Sequence, residues 1–228
     1  MRGNVQGELY IIEICRGKAQ GCRYALSDII PLKDAITAKL EDMRFSDEYR
    51  QKTDGPILHH HKFKIALSAC PNACSQPQIR DFGVIANMRP RRTDEECTSC
   101  KKCQRACLEN AISFDDKGAI INNAHCVECG SCIKQCPTKA LQKDCSGYTV
   151  LIGGKLGRHP QFGRRLLRMA EEDSVIQALQ LCAQLLLNHE LPLRSSTSLR
   201  HRKTMRFGDL VNLIGLENIK DMLANQMQ

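Results

Sequence analysis

At 228 residues, the chain is long enough for one large domain or two small ones. Hydrophobic residues make up 42% of it and Trp is absent, so a core is expected and must rest on aliphatic side chains. No run approaches the roughly 18 apolar residues of a membrane span, and the formal charge of +8 comes without a nucleic-acid recognition motif or basic–aromatic interleaving. That excludes a membrane protein and argues against a nucleic-acid binder; the basic surplus is read as neutralising bound anions. Residues 1–7 are polar and no apolar stretch comes after them, so no signal peptide is read. The 14 cysteines are therefore taken as metal ligands in a reducing cytoplasm rather than as disulfides.

In chain order, residues 8–14 (ELYIIEI) are apolar and β-branched and predict a buried strand that delivers Cys15 at its end. Residues 16–23 form a loop with Gly17 and Gly21, and Ser27 or Asp28 can cap the next segment. Leu32, Ala35, Ile36, Leu40 and Met43 have helical spacing. A polar connection over residues 46–56 ends in a turn at Asp54-Gly55-Pro56. The tract His59-His60-His61 leads into a second strand over residues 61–68; adjacent histidines on a strand point to opposite faces and make a poor shared metal site. Lys62 and Lys64 share one face of that strand by its period of two, either as a solvated basic face or as active-site cations.

The strand runs into Cys70-Pro71-Asn72-Ala73-Cys74, two thiols separated by a turn that proline stiffens. That spacing suits two corners of an iron–sulfur cluster, and a four-cysteine cluster needs two more thiolates. Cys15 and Cys22 are the pair for this, because the other cysteine-rich stretch is self-sufficient. Residues 81–86 read as a third strand, and Arg89-Pro90-Arg91-Arg92 marks a composition shift and a module boundary.

Cys97-x2-Cys100-x2-Cys103-x3-Cys107 is repeated as Cys126-x2-Cys129-x2-Cys132-x3-Cys136, the bacterial two-cluster ferredoxin pattern. In it each triplet takes its fourth ligand from the other repeat, which gives Cys97, Cys100, Cys103 with Cys136, and Cys126, Cys129, Cys132 with Cys107. Zinc sites would split two and two. Between the repeats, residues 111–114 and 119–121 flank a turn and predict a small hairpin. Cys182 lies in a helical apolar pattern and reads as a core residue, while Cys145 has no assigned role. Residues 147–152 read as a strand ending in Gly153-Gly154, where backbone can approach a large ligand closely. A helix capped by Asp173 or Ser174 runs to about residue 189, a linker covers residues 195–198, and two short helices close the chain over residues 207–214 and 216–223.

Cys70-Pro-Asn-Ala-Cys74, the earlier cysteine pair, the run Ile79-Arg80-Asp81-Phe82-Gly83-Val84-Ile85 and Gly153-Gly154-Lys155-Leu156-Gly157-Arg158 together resemble the sirohaem- and cluster-binding half-domain of nitrite and sulfite reductases. The first pair is C-x6-C here, where that family usually has C-x5-C, and Leu108 stands where the ferredoxin repeat usually has proline. The resemblance implies an α+β fold: a ferredoxin-like α/β sheet domain over residues 1–92 and 144–228, interrupted by a two-cluster ferredoxin module over residues 93–143. It implies sirohaem and three [4Fe–4S] clusters, with Cys74 bridging cluster and haem, and Asn72, Gly153, Gly154, Lys155 and Arg158 against the cofactor. It also implies Lys62, Lys64, Arg16 and Arg23 as the cations around a reducible oxyanion. The reaction so implied is six-electron reduction of sulfite to sulfide, with nitrite reduction and a non-catalytic electron-transfer subunit as alternatives. An external electron donor and a second copy or subunit completing the haem pocket would be its partners.

Overall fold

The computed structural model describes residues 7–52, 59–188 and 206–227. The turn read at Asp54-Gly55-Pro56 and the linker read over residues 195–198 lie outside the described residues. A five-stranded mixed sheet has the order β1-β2-β3-β6-β7, with β1 (Tyr10–Ile14), β2 (Phe63–Ser68) and β3 (Phe82–Arg92) parallel, and β6 (Leu141–Ile152) and β7 (Arg164–Ala170) antiparallel to their neighbours. A separate hairpin, β4 (Ile112–Asp115) and β5 (Gly118–Ile121), sits between the short helices α3 (Lys102–Arg105) and α4 (Ser131–Gln135). The helices α1 (Ile30–Asp42), α2 (Phe45–Gln51), α5 (Glu172–Asn188), α6 (Phe207–Ile214) and α7 (Leu216–Gln226) complete the fold.

The register explains the core. Ile65 pairs with Phe82 and Phe82 with Ile152; two residues on, Leu67 pairs with Val84 and Val84 with Val150. These two cross-strand rows share one face of the sheet, and all six side chains are buried. Leu32, Ile36 and Leu40 of α1, Val175 and Leu179 of α5, and Leu210 and Val211 of α6 close over the same core. Cys182 is fully buried there and its thiol is pushed well above its ordinary range by burial, as expected of a small core residue.

Several local expectations need correction. β1 is an edge strand and Ile14 is 39% exposed, so it is not a buried strand. His59–His61 form a 3-10 turn before β2, with the rings of His60 and His61 packed edge to face, 4.1 Å apart. The polar connection begins with a helix, α2, because Phe45 and Tyr49, four residues apart, both turn inward. β3 does not stop near Ala86. It continues through Arg89-Pro90-Arg91-Arg92 with a register irregularity between Met88 and Pro90, the kind of position where a strand tolerates proline. The 11-residue β3 and 12-residue β6 thus form a long antiparallel stem, from whose far end residues 93–140 extend.

Candidate metal and cofactor site

The first cysteine set is gathered by the parallel strands. Ile14 pairs with Leu67, the Cys15 N–H donates to the Leu67 carbonyl at 3.1 Å, and the Ala69 N–H donates to Cys15 Sγ at 3.2 Å. The loop after Cys15 is closed by the Cys22 N–H on the Gly17 carbonyl, and returns to β2 through the Leu26 N–H on the Ala69 carbonyl. Cys15, Cys22, Cys70 and Cys74 therefore meet beyond the carboxyl ends of β1 and β2, where open α/β sheets bind ligands. Burial pushes the Cys70 thiol up; the Asn72 backbone N–H opposes this, and nearby Cys22, Cys15 and Cys74 add to the rise. Cys70 is buried, Cys15 and Cys22 are half-buried, and Cys74 is exposed.

The turn carrying Cys70 and Cys74 is fixed by residues that the sequence did not single out. The buried hydroxyls of Ser68 and Ser75, on either side of it, lie 2.7 Å apart; the Ser75 hydroxyl also donates to the Leu67 carbonyl and its N–H to Ser68 Oγ. Ala73 and Gln76 adopt left-handed backbone (φ 51° and 57°). Gly83 on β3 leaves room for this segment: a Cβ there would stand 2.3 Å from the Pro77 carbonyl oxygen. A pair of serines flanking a C-x3-C and a glycine in a strand were the available signals.

The two ferredoxin-type repeats have matched backbones. Left-handed residues recur at Ser99 and Glu128, at Lys101 and Gly130, and at Asn110 and Lys139, the same offsets in each repeat. Cys97, Cys100, Cys103 and the remote Cys136 line one small cavity. Cys107 lies within electrostatic range of Cys126, as Cys129 does, and burial pushes Cys132 up to about 12 with Cys129 and Cys126 contributing. The structure thus brings together both sets of four that the spacing predicts. The two remote fourth ligands receive matching backbone bonds: the Ala111 N–H donates to Cys107 Sγ at 3.3 Å and the Leu141 N–H to Cys136 Sγ at 3.4 Å. Such bonds to the sulfurs are among the groups that set cluster potentials. Among the described residues, no three His, Cys, Asp or Glu side chains are grouped to hold a single metal ion. Buried thiols with raised proton affinity, arranged around a volume, fit a polynuclear iron–sulfur core that deprotonates its ligands outright.

The remaining site candidates separate into two regions. Arg16 and Arg23 are exposed on the loop holding Cys15 and Cys22; the Arg23 guanidinium packs over the Tyr24 ring and donates to its hydroxyl at 2.7 Å. Asn72 is exposed in the C-x3-C turn. Lys62 and Lys64 stand at the other end of β2, with Lys64 roughly 20 Å from Cys70 along a strand rising about 3.3 Å per residue. Lys62 there lines a small cleft with Tyr49, His60, His61, Asp81 and Arg206. The Lys64 ammonium is pushed down, first by burial and then by Arg206, against Asp81.

Lys155 is 8% exposed and ion-paired with Asp209 of α6, so its charge is already met within the chain. The glycines before it are packed by the chain itself: a Cβ on Gly154 would stand 2.5 Å from the Gln78 carbonyl oxygen, and one on Gly153 3.1 Å from Val211. Arg158 is exposed in the loop after Lys155. That loop borders the segment after Cys74, since the Gly163 N–H donates to the Gln78 carbonyl at 2.7 Å. An exposed Cys74 thiol with Arg16, Arg23 and Arg158 exposed on neighbouring segments fits a polycarboxylate macrocycle; Lys155 is buried and paired with Asp209.

A family model described as the nitrite and sulphite reductase 4Fe-4S domain matches residues 15–228. The coenzyme F420-dependent sulfite reductase of Methanocaldococcus jannaschii is 37% identical over 116 residues, covering 50% of this chain and 18% of that protein. A subunit of the anaerobic sulfite reductase of Salmonella typhimurium is 27% identical over 173 residues, covering 74% of this chain and 46% of that one. The chain spans less than half the length of these curated relatives. The crystal structure of dissimilatory sulfite reductase I shares the fold, with a TM-score of 0.59 at 18% identity over 93% of this chain and 51% of that chain.

Proposed function

The chain belongs to the nitrite and sulphite reductase 4Fe-4S domain family, and from that premise we propose that it is the sirohaem- and cluster-bearing part of a sulfite reductase. The reaction is the reduction of sulfite to sulfide, consuming six electrons and six protons and releasing three waters. The observation that supports it is the set of four thiols beyond β1 and β2, of which Cys74 alone is exposed. Cys15, Cys22, Cys70 and Cys74 hold one [4Fe–4S] cluster, and the two ferredoxin-type sets hold two more. Sirohaem, when bound, supplies an iron that takes up the oxyanion and passes electrons to it. Cys74, exposed beside the other three thiols, would face that group, and Arg158 would pair with its carboxylates.

Arg16 and Arg23 neutralise sulfite's oxygens and hold ordered water that supplies protons. Lys62 and Lys64 serve the same oxyanion when a second copy or another subunit brings the opposite end of β2 to this pocket. Nitrite, reduced to ammonia with the same number of electrons, is the competing substrate. An external one-electron donor feeds the clusters.

Anaerobic purification, followed by iron, sulfide and tetrapyrrole analysis, tests the proposal. Three cubane clusters correspond to about 12 iron per chain, accompanied by haem-type visible bands and faster turnover of sulfite than of nitrite with reduced methyl viologen. A second reading, an electron-transfer subunit without a substrate site, is favoured by the separation of Lys62 and Lys64 from Cys70. Broad iron–sulfur absorption with no haem bands would select it.

A further inference from the structure

Glu128 lies between two cysteines of the second repeat, in the run Cys126-Val127-Glu128-Cys129, where a charged side chain would ordinarily face water. Here it is 4% exposed, and its backbone is left-handed at φ 57°. Its carboxylate oxygen Oε1 accepts from Arg89 Nε at 3.0 Å and from the Arg168 guanidinium at 2.9 Å. Arg89 belongs to β3 and Arg168 to β7, the strands on either side of β6. Its carbonyl takes the Met88 N–H at 2.7 Å, the Val127 carbonyl takes the Asn87 side-chain amide at 3.3 Å, and Cys129 forms a bridge with Met88. Three consecutive residues of the cysteine loop are thus held by three consecutive residues of the sheet.

Two further contacts lead from this loop to the first cysteine set. The Lys134 ammonium, on α4 two residues after Cys132, donates to the carbonyl of Arg23, the residue after Cys22, at 3.1 Å. The space beside Gly130 is bordered by Met88 and Leu26. The first repeat is different: Thr98 through Lys102, Cys100 included, are all exposed.

We infer that Glu128 is a positioning residue for electron transfer. It clamps the second-repeat centre (Cys107, Cys126, Cys129, Cys132) against the sheet as the inner relay to the Cys15, Cys22, Cys70 and Cys74 centre. The first-repeat centre (Cys97, Cys100, Cys103, Cys136) is then the outer relay, at which an external one-electron donor arrives. The clamp rests on the assignment of three clusters made under the proposed function. Each electron moves singly along the series: the donor is oxidised by one electron, the outer centre is reduced and reoxidised, and the inner centre passes the electron on.

The test uses the cluster-loaded protein under anaerobic conditions, with reduced methyl viologen as donor, giving up one electron to become its dication. Stopped-flow bleaching and freeze-quenched electron paramagnetic resonance follow each centre. In Glu128→Gln and Glu128→Ala the outer centre is reduced at the wild-type rate. Electron arrival at the innermost centre is slowed, and the spin coupling between the relay centres weakens, because the loop is no longer held to β3 and β7 through Arg89 and Arg168. Arg168→Met, which removes one partner of Glu128 from β7 and leaves every residue of the cysteine loops in place, shows a smaller slowing of the same sign and covers the case in which Glu128 variants lose iron. Wild-type transfer and coupling in all three variants, with iron content intact, would overturn the clamp. Wild-type protein with too little iron for three cubanes would instead overturn the cluster assignment, and the clamp with it.

Discussion

Asp81 offers a test of the electrostatics worked through in numbers. It stands just before β3, 3% exposed, with Oδ2 accepting the Lys64 backbone N–H at 2.9 Å and Oδ1 without a hydrogen bond among the described residues, 3.8 Å from the Arg206 guanidinium. Burial pushes its pKa up from 3.8 to about 6, against the pull of that N–H, Arg206, Lys64 and Arg80. The folded state therefore holds this proton more tightly than the unfolded chain does. The resulting stability is fully present below the unfolded value near 4 and is lost as the pH rises through about 6. A rise of about two pKa units, at about 1.36 kcal/mol each, is about 3 kcal/mol.

Asp81→Asn keeps an oxygen for the Lys64 N–H but cannot ionise. Its stability relative to wild type should rise by about 2 kcal/mol between pH 4 and pH 7. With a urea dependence of about 3 kcal/mol per molar, the midpoints should separate by about 0.7 M over that window. Anaerobic urea titrations of both cluster-loaded proteins at a series of pH values measure this, and the difference cancels other titrating groups. A stability difference that stays constant with pH, or shrinks as pH rises, refutes the reasoning.

Four other outcomes are expected from the geometry. Gly154→Ala should lose about 1–3 kcal/mol in the same unfolding assay, because its methyl group would meet the Gln78 carbonyl at 2.5 Å and backbone must move. Cys182→Ala should leave iron and sulfide content unchanged while costing about 1–2 kcal/mol through a small buried cavity, whereas Cys100→Ser should lower iron content per chain. Arg23→Ala should slow sulfite turnover by about 10-fold to 100-fold with the iron–sulfur absorption unaltered, measured with reduced methyl viologen; an unchanged rate would remove Arg23 from the substrate's surroundings.

Cysteine spacing was legible in the chain because a cluster's ligands lie within short covalent reach of one another. Two triplets and their remote fourths, C-x3-C after a strand and an apolar helix around Cys182 all appear where local pattern places them. β7 was not read: its sequence RRLLRMA carries three arginines, and its strand state comes from pairing with β6 across two register irregularities. The same holds for the strand through Arg89-Pro90-Arg91-Arg92, whose charges and proline hid its pairing with β6. The fate of individual charges was decided furthest from the sequence. Lys155 was expected to meet a cofactor and meets Asp209, 54 residues away; Glu128 drew no notice and is held by Arg89 and Arg168, 39 and 40 residues away. The one-dimensional pattern set out the local cysteine pairs and triplets, since short covalent spacing limits where a thiol can reach, while the distant members are brought beside them by the sheet and the paired repeats. The folded chain alone decided which cations are left for an anion, since a charge is satisfied by whatever the sheet and helices bring beside it.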